Sequence, residues 1–443
     1  MKNQKYDLSQ AINLQNPNIK VSPSDVEITS TKDFHNSNIY ENIRKKECLY
    51  IKIFLAIIYF VLCISMEQVY RESLFDESID IQEDIRDDYD KESAFYDCWK
   101  FFTNFGEAKI TFVIFAIIFL FFPISSSFLT LQVLIYTIYV TNFLKIIYRN
   151  GRPYWKSDKL DIVCNAGYGN PSGHTMTSTA YYLSLSHIVT NFEFFRKSLC
   201  GKILRVIIFC LLCILGALVI ISRVLLSAHG INQVLFGFTL GLFIYFICIY
   251  ILSYHTYEPN DFIIHITSCL VVTIYMIFHI ALLIALIIVY FSLDENEKIE
   301  YNVYNNIFNG VKCKIKKKYL MLKHDGFFQA LAITALLGAH LGIFVLVCLL
   351  KKYNYVINGY ITDFNQSSIK RWLIRLPILI VSGIFILLYY LVSGNSALSV
   401  VFIFKSAVSF FLTTLGIYFI GIFISITCNL ANENITKINL MKK

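Results

Sequence analysis

Apolar runs long enough to cross a bilayer recur along this chain from residue 50 to residue 428. A hydrocarbon core of ~30 Å takes ~20 residues of helix, so each such run predicts one transmembrane span. By that rule there are about ten, near 50–66, 109–126, 128–148, 174–192, 203–221, 231–253, 262–291, 327–350, 372–392 and 398–428. The expected fold is all-α, a polytopic membrane helical bundle. Composition agrees: 56% of residues are hydrophobic and only 16% are charged, which is wrong for a soluble domain. The net charge is +8, but the lysines and arginines cluster at span ends. They orient the chain rather than bind nucleic acid.

The connections divide the chain. Residues 1–48 read as a polar, cytosolic N-terminal tail, followed by a retained helix rather than a cleaved signal. Residues 49–108 hold the first span and a long acidic connection from 67, with Asp84, Asp87, Asp88 and Asp90 in one run. Residues 109–253 form a helical core, 254–428 further spans, and 429–443 a cytosolic tail. Four basic segments fall on one side of a ten-span chain: Arg44-Lys45-Lys46, the loop with Arg196, Lys197 and Lys202, the loop with Lys351, Lys352, Lys370 and Arg371, and Lys442-Lys443. That side is expected to be cytosolic, with loops 67–108 and 149–173 facing the lumen or exterior. The basic run Lys312 to Lys318 falls on the opposite side and disagrees with the majority.

Three polar clusters stand at the edges of spans three to six. One is Lys145, six residues, then Arg152-Pro153. The second is Pro171-Ser172-Gly173-His174. The third is Ser222-Arg223, five residues, His229, and then Gln233. The ends of spans three and five and the starts of four and six share one membrane face, so the clusters are coplanar and can converge. Three cations without nearby carboxylates call for an anion, and Arg offers a planar fork to phosphate oxygens. Ser172 and Gly173 open a helix, whose first N–H groups suit an anion. Two histidines add a nucleophile and a proton donor, enough for phosphoryl transfer. Taken singly, each element is bland: a snorkelling lysine, a loop turn, a helix cap, an interfacial histidine. Their joint occurrence in order, on the correct span ends, is what carries weight. His187, His265, His279 and His340, within or near apolar runs, are expected to bond neighbouring helices instead.

These motifs, KIIYRNGRP, PSGH and SRVLLSAHGINQ, resemble the three-part signature of the phosphatidic acid phosphatase type 2 superfamily, KxxxxxxRP, PSGH and SRxxxxxHxxxD. The third departs at its last position, where Gln233 replaces Asp. In detail the resemblance is closest to glucose-6-phosphatase, through Arg152-Pro153-Tyr154-Trp155 and that same Gln. The resemblance implies a helical catalytic core, no cofactor and no metal. It makes His229 the nucleophile, carried through a phosphohistidine, and His174 the acid that protonates the leaving alcohol. Lys145, Arg152 and Arg223 would neutralise the phosphoryl oxygens, with Ser172 and Gly173 adding hydrogen bonds. Gln233 would orient His229 without stabilising its charge as a carboxylate would.

The expected activity is metal-independent hydrolysis of a phosphomonoester, a lipid or sugar phosphate, at the lumenal or exoplasmic face of the endoplasmic reticulum or another endomembrane. The alternative is a catalytically inactive relative that binds phosphate or lipid. A transporter would need polar breaks in mid-membrane. Partners are the substrate and membrane lipids; nucleic acid is not expected, and the oligomeric state is open. Twelve cysteines are present, with no zinc-site spacing. A Cys98–Cys164 disulfide between two lumenal segments is the one pairing worth testing.

Overall fold

The computed structural model describes residues 31–89, 93–122, 124–160, 167–190, 195, 198–252, 269–292, 322–352 and 407–419. It is 91% helical, with no strand among the described residues. By contact pattern the chain divides into Met1–Leu55 and Ala56–Lys443, and the contacts below all lie in the second unit. The helices are α1 (Thr31–Asp88), α2 (Ala94–Thr103), α3 (Ala108–Phe121), α4 (Ile124–Tyr148), α5 (Gly173–Thr190), α6 (Leu199–Leu225), α7 (Ile231–Phe246), α8 (Cys269–Ser292), α9 (Leu322–Ala330), α10 (Thr334–Lys352) and α11 (Ala407–Phe419).

Six helical segments among the described residues are long and apolar enough to cross a membrane, and a seventh counts if α2 and α3, bent by 45°, act as one span. Four of the foreseen spans sit as read, on α4, α6, α7 and α8. The eighth is the joined segment Gly326–Leu346 of α9 and α10. The span at 372–392 lies outside the described residues, as do Lys312–Lys318, Cys164 and His265, and only Ala407–Phe419 is described of the tenth. Cys98 is a free, exposed thiol.

Two sequence expectations need correction. Residues 67–88 are not a loop but the continuation of the first helix. The segment from Cys48 to Asp88 runs 41 residues, about twice what a bilayer needs. Its inward residues recur three, four or seven apart at Ala56, Cys63, Glu67, Arg71, Phe75, Ser78 and Gln82. The chemistry along that stripe turns from apolar to polar after Cys63, which a hydropathy window reads as the end of a helix. The second correction concerns α5. It is buried nearly throughout yet is too polar to qualify as a span by composition. Several of its hydroxyls find acceptors: Ser178 Oγ and Thr179 Oγ1 donate to the Thr175 carbonyl at 3.1 and 2.8 Å, and Tyr181 and Tyr182 donate to Thr111 and Phe105 carbonyls at 2.9 and 2.6 Å. Sheathed by α4, α6 and α7, α5 has no need of an apolar surface. Close approach to α7 requires Gly237, where a Cβ would lie 2.6 Å from the Ser172 carbonyl oxygen.

Candidate functional site

Two helix ends set the site, and both stop the same way. α6 finishes in a Schellman motif: Ser227 adopts a left-handed φ of 52°, its N–H donates to Val224 O at 2.9 Å, and Ala228 N–H donates to Arg223 O at 3.1 Å. His229 N–H adds a second bond to Arg223 O at 3.2 Å. The fixed spacing from Arg223 to His229 is therefore the length of a helix cap. α4 ends on Arg149, φ 50°, whose N–H donates to Lys145 O at 3.1 Å in the simpler left-handed cap. In each case the cation stands one turn before the left-handed residue and sends its side chain toward the loops.

The loops are stitched together by backbone groups. Gly169 N–H donates to Asn150 O at 2.8 Å and Ser172 N–H to Gln233 O at 3.0 Å. Arg152, buried at 3% exposure, donates from Nε to Gly167 O and from Nη1 to Ala228 O, both at 2.8 Å. One guanidinium thus joins the first motif to the approach to the second and to the third. The Ser172 N–H is already committed, so the groups a helix start leaves without intrahelical acceptors are those of the first turn at Gly173 and His174. Ser172 Oγ accepts from Thr175 Oγ1 at 3.0 Å. His174 packs against Gly106, where a Cβ would come within 3.1 Å of its ring.

His229 has a defined tautomer. Its Nδ1 faces two oxygen acceptors, the Gly169 carbonyl at 2.8 Å and Gln233 Oε1 at 3.2 Å, so Nδ1 carries the proton. Its Nε2 lies 3.2 Å from Arg152 Nη1. A guanidinium can only donate, so Nε2 presents its lone pair. Burial, then Arg152, Arg223, Lys145 and His174, hold the His229 pKa well below the ordinary histidine value. The ring is neutral, which a nucleophile must be.

Gln233 does what Asp could not. Its Oε1 accepts from His229 and from Gly230 N–H at 3.3 Å, and its Nε2 donates to Gly151 O at 2.7 Å. A carboxylate has no donor for Gly151. A Cβ at residue 169 would lie 2.5 Å from both amide heteroatoms of Gln233, so glycine is required there.

Arg223, 1% exposed, donates through Nη1 to Thr103 Oγ1. Its Nε is buried without a hydrogen-bond partner, which is costly unless an acceptor arrives. Glu107 attracts Arg223 and Arg152 repels it. All the residues singled out from sequence thus converge: Lys145, Arg152, Ser172, Gly173, His174, Arg223, His229 and Gln233. Sequence reasoning missed Thr103 and the Gly169 carbonyl. The first has no motif around it; the second is a backbone atom. Among the described residues no group of three His, Cys, Asp or Glu side chains could hold a metal ion.

The arrangement can bind a tetrahedral oxyanion among three cations beside an imidazole lone pair. Comparison with known proteins bears on this directly. Residues 126–257 match the PAP2 superfamily, a helical fold whose members are generally phosphatases acting on phosphoric monoesters. Neither the curated proteins nor the solved structures gave a match to the chain.

Proposed function

We propose that this PAP2 superfamily domain hydrolyses a phosphomonoester through a phosphohistidine at His229. The observation that carries the reading is the tautomer: Nδ1–H bound to the Gly169 carbonyl at 2.8 Å leaves the Nε2 lone pair among Arg152, Arg223 and Lys145. Nε2 attacks phosphorus, and the ester P–O bond breaks. His174, protonated by the phosphate monoanion as it binds, gives that proton to the leaving oxygen. The phosphorylated ring is cationic at that point, and Gly169 O and Gln233 Oε1 accept its Nδ1–H without adding charge. Water then attacks phosphorus while His174 takes back a proton. The P–N bond breaks, its electrons return to Nε2, and phosphate leaves.

Lys145, Arg152 and Arg223 neutralise the oxyanion, and the Ser172 hydroxyl and first-turn N–H groups of α5 hydrogen-bond to it. Preorganised donors of this kind contribute the largest share of such catalysis. The site is placed at the lumenal or exoplasmic face of an endomembrane, because the basic loops counted above define the opposite side as cytosolic. The substrate is a sugar or lipid phosphate. Arg152-Pro153-Tyr154-Trp155 and Gln233 favour the sugar phosphate, through the resemblance to glucose-6-phosphatase.

The test is phosphate release by detergent-purified protein, with EDTA present, from phosphatidic acid, sphingosine 1-phosphate, glucose 6-phosphate and an isoprenyl pyrophosphate. Release that disappears in His229→Ala supports the reading and identifies the substrate class. No release by folded protein would instead favour a phosphate- or lipid-binding role.

A further inference from the structure

The polar half of α1, Glu67 to Asp88, lies outside the matched residues 126–257, yet it touches all three loops around the site. Gln82, 1% exposed, donates from Nε2 to the carbonyl of His229 at 2.9 Å. Phe75 and Ser78 flank Gly230, where a Cβ would come within 2.9 Å of both. Glu67, fully buried, accepts from Asn170 Nδ2 at 2.7 Å. Asn170 in turn donates to Asn150 Oδ1 at 3.1 Å, tying the approach to Ser172 to the Arg152 loop. Lys156 pairs with Asp76 at 2.9 Å and Lys159 with Asp87 at 3.0 Å.

These contacts differ in worth. The lysine pairs are more than half exposed on most of their side chains, and such pairs contribute ~0–1 kcal/mol. The Glu67 and Gln82 contacts are buried, and a partner lost there leaves a desolvated group unsatisfied. Glu67 is itself locked by a two-point pair with Arg71, at 2.7 and 2.6 Å, and Arg71 lies over the Tyr148 ring, 4.4 Å from its centroid. The carboxylate is held rigidly enough to hold something else.

We infer that α1 is a positioning clamp for the catalytic loops, with Gln82 acting through the His229 backbone and Glu67 acting through Asn170. Neither side chain touches the phosphoryl group. Gln82 fixes the height of the His229 turn, and Glu67 fixes the loop that presents Gly169 O to its ring. The inference rests on the phosphatase reading of the site, but it can be tested apart from it. The long helix is thereby a component of the reaction centre as well as a membrane anchor.

The experiment uses the full chain. Gln82→Met keeps the volume and removes the donor; kcat should fall ~10-fold with KM unchanged, the size seen when supporting contacts behind a reactive group are lost. Glu77→Gln, exposed on the same helix, should match wild type. Asn170→Asp sets a carboxylate against Glu67 and should lower kcat further. Adding Glu67→Gln exchanges donor and acceptor, and should restore most of that loss. Wild-type kcat in folded Gln82→Met, or no rescue in the exchange pair, overturns the clamp. If the wild type releases no phosphate at all, the phosphatase reading fails and orthovanadate affinity becomes the readout. Weaker binding in Gln82→Met then sustains the clamp, and unchanged binding overturns it. Should Gln82→Met not fold, the exchange pair decides alone.

Discussion

Three buried histidines of this protein, His229, His279 and His340, each 1% exposed, stand in two kinds of surroundings. His279 of α8 donates from Nδ1 to the Tyr275 carbonyl one turn earlier, at 2.6 Å, and its Nε2 lies 3.0 Å from Tyr136 OH on α4. Beside it His340 donates from Nδ1 to Leu336 O at 3.2 Å and meets the Phe128 ring edge-on, 4.7 Å between centroids. Every partner is neutral and permanent, and the cluster pins α4, α8 and α10 together. His229 has the same tautomer, with Nδ1–H on a carbonyl. The difference lies at Nε2, where a guanidinium stands in place of a phenol and two more cations act from farther out. On the proposed function, burial and a fixed tautomer do not distinguish a reactive histidine from a structural one. The charge of what faces the second nitrogen does.

Substitutions at the two sites should therefore separate activity from stability. His229→Ala should lower kcat by ~10³-fold or more, while His279→Ala leaves kcat unchanged and lowers the melting temperature; loss of activity in both would erase the distinction. Arg152→Lys should cost ~10²-fold, because an ammonium cannot reach Gly167 O, Ala228 O and His229 together. Steady-state kinetics on the responsive substrate would show it. Gln233→Glu should lower kcat ~10-fold and move the acid limb of the rate profile upward by about one pH unit, since a carboxylate favours the imidazolium. The sign in the wild type follows from the same balance. The pKa of His229 lies well below the ordinary value, so the ring stays neutral as pH falls through the usual histidine range. The acid limb belongs below that range. Tyr136→Phe is the smallest change. It leaves His279 Nε2 without its donor and should cost ~1 kcal/mol, about 2 °C in melting temperature, with kcat unaffected.

How much was legible in the sequence depended on where the chemistry resides. Side chains at fixed spacing on span ends were readable, and so Lys145, Arg152, His174, Arg223, His229 and Gln233 were found, with the convergence that span ends impose. The caps behind two of those spacings were not, because Arg149 and Ser227 give no sign of a left-handed φ where glycine is the usual residue. The partner of His229 was sought in Gln233; the nearer acceptor is the Gly169 carbonyl, which every residue possesses. α1 was cut short at 66 because its stripe continues in Glu67, Arg71, Phe75, Ser78 and Gln82. That sequence keeps a helical period while abandoning hydrophobicity. α5 was located too, at 174–192, but its polarity is that of a helix wrapped by protein, which answers to its neighbours and not to lipid.

On the proposed function, the orphaned Nε of Arg223 means that the site at rest holds free energy that a bound oxyanion releases. Arg152 and Arg223 repel each other across the site, and a bound phosphate relieves that repulsion while supplying the missing acceptor. On that reading inorganic phosphate should stabilise the fold, by about 2.7 kcal/mol at a hundred times its dissociation constant. The same contacts make it a competitor of the substrate. On the proposed function, rising phosphate should make the protein both harder to unfold and slower to turn over, and both changes would report one equilibrium.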